Sequence, residues 1–187
     1  LRGLRVPVMA IAVAGSAPVH TQPDAGPLAT WRDGEIREAY DQSARETRVF
    51  VAVMPSGPQG TPTVVLSTRW PGRVPEKQVT EFEVRVEAGL GVNPNFLRKA
   101  ALALILDRDT PDLRAVEMSN RLRLSVPGPG AAINSGTATM TLLELIQVLQ
   151  ARRISGVILG IPVEFTPTQI EALRRFGDRV LAPPPRR

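Results

Sequence analysis

From Val79 to Glu87 apolar and polar residues alternate. Phe82, Val84 and Val86 fall on one side, and Glu81, Glu83, Arg85 and Glu87 on the other. A period of two predicts a strand with one buried and one wet face, as in an antiparallel sheet. Arg48 to Met54 and Thr63 to Trp70 carry similar β-branched patterns. Pro55 to Pro62, with three prolines and two glycines, reads as the turn joining them, and Pro71 and Gly72 stop the second strand. Leu90 to Asn95 reads as a loop. Phe96 to Leu106 is mixed. Its Ala and Leu content favours a helix, whereas its unbroken apolar run from Ala100 suits a central strand. The strand reading is preferred, because Asp107 to Asp112 then forms a turn and Arg121 to Val126 the returning strand. In that strand Leu122, Leu124 and Val126 point inward and Arg121 and Arg123 outward. Pro127 to Gly136 reads as a loop and Ala138 to Met140 as a short strand.

Beyond Thr141 the period changes to 3.6. Thr141 and Glu144 have capping-box spacing, and Leu142, Leu145, Ile146 and Leu149 follow on one face. Arg152 and Arg153 are expected in the last turn, at the negative end of the helix dipole, with Gly156 as breaker. Val157 to Phe165 predicts a short strand bent at Gly160 and Pro162. Thr166, Pro167 and Gln169 then form a second helix start. Ile170, Leu173, Phe176, Val180 and Leu181 make its apolar face. Glu171, Arg174, Arg175, Asp178 and Arg179 make its solvated one, and Pro183 to Pro185 end it. Upstream, Ile36 and Tyr40 stand four apart among charges, so Trp31 to Arg45 reads as a short helix.

Strands come first and helices last. The expected fold is therefore α+β, a mostly antiparallel sheet of about five to seven strands with two C-terminal helices packed on one side. Residues 46–182 form a single domain, preceded by a linker and short helix at 23–45 and followed by a Pro/Arg tail at 183–187. Leu1 to Gln22 has the composition of an export leader or anchoring segment. Arg2 and Arg5 precede a 10-residue apolar run from Val6 to Gly15, and Ala12 and Ala14 give a small-x-small cleavage pattern. That run is short of the ~20 apolar residues that span a bilayer.

Composition narrows the chemistry. Cysteine is absent and His20 is the only histidine, so thiolate chemistry and a histidine base in the domain are excluded. The net charge of +5 rests on 21 Arg and 2 Lys, in a chain also rich in Pro, Ala and Gly. This matches a GC-rich coding bias as well as an anion-binding surface. Arg152, Arg153, Arg174, Arg175 and Arg179 are the candidate contacts for a partner or anionic surface. With 8 aromatic residues, the chain lacks the stacking platforms of single-strand nucleic-acid binders.

Asp107, Asp109 and Asp112 are weak candidates for a metal site. Pro111 and Met118 break the EF-hand pattern, and helix-capping turn aspartates account for the cluster more simply. Gly128 and Gly130 lack the Gly-Lys-Ser/Thr of a phosphate loop, and Gly89 and Gly91 lack the third glycine of a dinucleotide fingerprint. No catalytic residue, cofactor or small-molecule substrate is indicated. The expectation is a non-enzymatic, exported accessory or structural subunit in the bacterial periplasm or on the periplasmic face of the membrane, with protein partners in a membrane complex. The alternatives are a carboxylate- or metal-assisted hydrolase and an anion or nucleic-acid binder acting through the C-terminal arginines.

Overall fold

The structure, a computed structural model, describes residues 30–89, 101–107, 114–125 and 133–182. Among the described residues, ten strands and two α-helices follow in chain order. They are β1 (Ile36–Asp41), β2 (Glu46–Val53), β3 (Thr63–Pro71), β4 (Glu81–Gly89), β5 (Leu102–Asp107), β6 (Arg114–Glu117), β7 (Arg123–Ser125), β8 (Ile133–Thr141), α1 (Leu142–Leu149), β9 (Arg153–Ile158), β10 (Ile161–Glu164) and α2 (Pro167–Leu181). The fold is α+β with both helices near the C-terminus. Its strands divide into two antiparallel sheets, one ordered β1-β2-β3-β4-β8-β7 and one ordered β10-β9-β5-β6.

The alternation in β4 does what it predicts. Phe82, Val84, Val86 and Ala88 are buried, and Glu81 and Glu83 are exposed. Val49, Val51, Val53, Leu66 and Met140 join them on the inner face of the large sheet. Leu102, Leu104, Ile154 and Ile158 supply the inner face of the small one, and both faces share a continuous core with the two helices. Phe176 from α2 meets Phe82 of β4 in an edge-to-face contact, 6.3 Å between ring centroids. Both capping boxes form as predicted, Thr141 with Glu144 and Thr166 with Gln169.

Five expectations are corrected. Residues 36–41 are a strand, not part of a helix, because Ile36 to Asp41 pair along β2 from Val51 to Glu46. The spacing of Ile36 and Tyr40 satisfies both periods, and the cross-strand ladder decides. The partner returning onto β5 is β6, not Arg121 to Val126, since Leu104 pairs with Val116. Arg123 to Ser125 instead edges the large sheet beside β8, and Leu124 is 39% exposed there. Helix α1 ends at Leu149, so Arg152 follows it and Arg153 opens β9. Finally, residues 153–164 make a hairpin rather than one bent strand. Leu159 and Gly160 turn it with φ of 51° and 83°, the left-handed pair that a two-residue hairpin loop requires. Gly156 breaks nothing. It sits mid-strand, where a Cβ would stand 2.2 Å from the Ala103 carbonyl oxygen.

Candidate functional site

Of the five arginines nominated from sequence, Arg174 and Arg179 are engaged within the fold. Arg174 turns back onto α1. Its Nε donates to the Leu149 carbonyl at 3.2 Å and its Nη2 to that of Ala151 at 2.9 Å. It thus supplies, from α2, the C-terminal cation expected of Arg152 and Arg153. Arg179 forks onto the Glu38 carboxylate of β1, with Nε donating at 2.9 Å. Arg175 is exposed on α2, and Arg152 and Arg153 are exposed at the start of β9.

Asp107 ends β5 directly opposite Arg153 and accepts, through its backbone oxygen, from the Arg152 N–H at 2.9 Å. An adjacent cation disfavours a metal there. Asp109 and Asp112 lie outside the described residues. Among the described residues no three acidic or histidine side chains are grouped to hold a metal ion. Glu117 is taken up locally: it accepts from Ser119, whose hydrogen bonds hold its carboxyl below the usual range.

A concavity lies on the outer face of the large sheet, a cleft of about 760 Å³. Its shape follows from the ladders. Strands β3 and β4 stay paired only as far as Ser67 and Glu83. Beyond that point β3 follows β2 alone to Pro71, β4 follows β8, and residues 72–80 bridge the gap. The bridge is anchored at its start. Thr47 Oγ1 donates to the Gly72 carbonyl at 2.6 Å, the Gly72 N–H donates to Arg45 at 2.7 Å, and the Arg73 guanidinium lies over the Tyr40 ring. At the other side of the splay, Thr68 Oγ1 donates to the Glu81 carbonyl at 3.1 Å.

Register places charges around this cleft. Arg48 of β2 stands opposite Arg69 of β3, and the two share Glu46 at 3.8 and 3.7 Å. Glu81 and Glu83 line the β4 side and Lys77 the bridge. Phe50 and Val65 form part of the floor. With Trp31 and Ala52 they make a small second core, roofed by the Arg37 guanidinium 3.9 Å from the Trp31 ring. None of this stands out in the sequence. Arg48 and Arg69 are 21 positions apart and meet only through register, while Glu81 and Glu83 read simply as the wet face of a strand.

A second uncovered surface is the outer face of the small sheet. Ile105 is 45% exposed at its centre. Ala103 and Val157 are half-buried beside it, and Ala115 and Pro162 are exposed. The Ser56–Pro58 turn borders it, with Ser56 bridged to Glu164. Among the described residues no helix is long and apolar enough to cross a membrane. No family model, curated protein or solved structure matches this chain.

Proposed function

We propose that this chain is a non-enzymatic accessory subunit of a bacterial membrane-associated or periplasmic complex, held to its neighbour through the outer face of the small sheet. One observation carries the reading. Ile105, Val157, Ala103, Ala115 and Pro162 form an apolar patch, with Asp107, Arg153 and Glu117 in the same ladders at its margin. An apolar centre with a charged rim is the anatomy of a protein–protein interface. The occupant this favours is a folded subunit presenting an apolar patch, because a polyanion would find one cation and several carboxylates there. The leader-like segment 1–22 lies outside the described residues.

The test is gentle detergent extraction from the native host, with mass spectrometry of what co-purifies with the chain and with its Ile105→Glu variant. A membrane complex retained by the parent and lost by the variant, with equal melting temperatures, is the expected result. A compact monomer that captures no partner in either form would overturn the reading.

A further inference from the structure

Strands β9 and β5 run side by side at the centre of the small sheet. On its outer face their paired residues form rows: Val157 with Ala103, Ser155 with Ile105, and Arg153 with Asp107. The middle row is uneven in height. Ile105 stands 45% exposed. Beside it a hollow of about 560 Å³ opens over Ser155 and Gly156, bounded on its far side by Pro162 and the Ser56–Pro58 turn. A knob and a hollow therefore lie one strand apart. In the end row a cation stands next to an anion. Both are exposed, and neither forms an ion pair among the described residues. The other charges near this face are placed apart from that row. Glu117 on β6 accepts from the Ser119 N–H at 2.9 Å, Glu164 on β10 is exposed at the rim, and Arg152 has an interaction of its own.

The rows have a symmetry consequence. A twofold axis parallel to the strands, midway between β9 and β5, sets each row against itself with its two members exchanged. Ile105 of one copy then enters the hollow over Ser155 of the other, and the reverse contact forms at the same time. Arg153 meets Asp107 twice, so four charges of alternating sign close a square. A twofold axis across the strands would instead set Arg153 against Val157 and Asp107 against Ala103, burying charges without a partner. We propose that the occupant of this face is a second copy of the chain, packed about the axis parallel to the strands. The inference rests on the interface reading above and names its partner. The contact is isologous, with the two sheets ~10 Å apart and their strands within ~30° of each other. Four strands at ~4.8 Å and three rows at ~6.6 Å give a patch of about 14 by 13 Å between backbones. That is the low end of interface sizes, so the dimer is weak and depends on concentration.

The test is sedimentation velocity of the purified full chain over a wide concentration range. A monomer–dimer equilibrium is expected. Ile105→Glu should weaken it about thirtyfold, the factor for ~2 kcal/mol lost at an interface centre, while the dilute protein melts as the parent does. Asp107→Arg and Arg153→Glu should each stay monomeric alone and associate when mixed. In the facing row one variant then carries only cations and the other only anions, and a change within one copy's fold cannot produce that rescue. A chain monomeric at every concentration overturns the proposal. So does a dimer indifferent to Ile105→Glu, or a mixture that stays monomeric. If the parent is monomeric yet captures a membrane complex that Ile105→Glu loses, the second copy is refuted and the subunit reading stands. A dimer broken by Ile105→Glu, in a chain that captures no complex, does the reverse.

Discussion

Gln169 is the residue whose replacement reports most directly on how this fold is tied together. It is 3% exposed, and its amide serves two roles at once. Its Oε1 accepts from the Thr166 N–H at 2.8 Å, closing the capping box of α2. Its Nε2 donates at 2.9 Å both to Asp33 Oδ2 and to the Met54 carbonyl. Asp33 in turn accepts from the Met54 N–H at 2.8 Å. One side chain therefore joins the start of the described chain, the end of β2 and the N-terminus of α2.

Gln169→Leu keeps most of the volume and removes all three bonds. A bond to a carboxylate contributes about 2 kcal/mol and a neutral one about 1, so the loss is about 4 kcal/mol. At this chain length that lowers the melting temperature by about 10 °C. Gln169→Glu is the sharper test. It keeps the acceptor for Thr166 but turns an oxygen toward the Asp33 carboxylate and the Met54 carbonyl. Burial and the neighbouring anion raise the new carboxyl's pKa in the folded state above its unfolded value. Its stabilising protonated form is fully present below the unfolded pKa and is lost as pH rises through the folded one. Urea unfolding of both variants from pH 4 to 8 should show Gln169→Glu approaching the parent in acid and falling away toward neutrality. The deficit of Gln169→Leu should stay nearly flat. A Gln169→Glu protein as stable as the parent at pH 7 would refute the reasoning.

Four further outcomes are expected. Gly156→Ala sets a Cβ 2.2 Å from the Ala103 carbonyl oxygen, whereas Gly177→Ala meets a movable Leu149 methyl at 2.3 Å. The first should therefore cost more than the ~1–3 kcal/mol of ordinary overpacking and the second stay within it, by chemical denaturation. Arg174→Ala frees the carbonyls of Leu149, which ends α1, and of Ala151 just beyond it, and should cost about 1–2 kcal/mol by the same assay. Trp70 Nε1 is buried without an acceptor among the described residues, so Trp70→Phe should leave the melting temperature unchanged or raise it. Burial raises the Glu144 carboxyl, but the Arg121 ion pair and the Thr141 hydrogen bonds outweigh this and hold it below its ordinary 4.5. Its stabilising contribution is thus present above pH 4.5 and lost as pH falls through the lower folded value. Glu144→Gln should flatten the acid limb of a stability–pH curve, and an unchanged slope would count against it.

The parts of this fold legible in the sequence are those set by local chemistry. Thr166, Pro167 and Gln169 specify a helix start whatever surrounds them, and β4 announces its wet face by its own alternation. The double duty of Gln169 was hidden, because Asp33 and Met54 lie more than a hundred positions away. For the same reason Arg121 was read as an outward strand residue. In the structure it sits in a 3-10 turn and forks onto Glu144, fastening that turn to the start of α1. Assignment of strands to sheets fails likewise. Nothing local tells Leu104 that its partners are Val116 and Gly156, nor tells Leu124 that it borders Gly136. The cleft was invisible because it depends on where a ladder stops.

The order in which strands join their sheets constrains how the chain can be made. The polypeptide lays down four strands of the large sheet and two of the small one. It returns to the large sheet for β7 and β8, then to the small one for β9 and β10. Leu102 finds Ile158 only 56 positions later, and the aromatic lid on Phe82 arrives with Phe176. As the chain emerges, β5 and β6 form a lone hairpin, marginal in water. Phe82, Val84 and Val86 stay exposed until α2 is complete. Such long-range pairing is slow and leaves apolar strands open to aggregation. Until the fifteen-residue helix α2 has emerged, the growing chain therefore carries its large-sheet core as uncovered apolar strand surface.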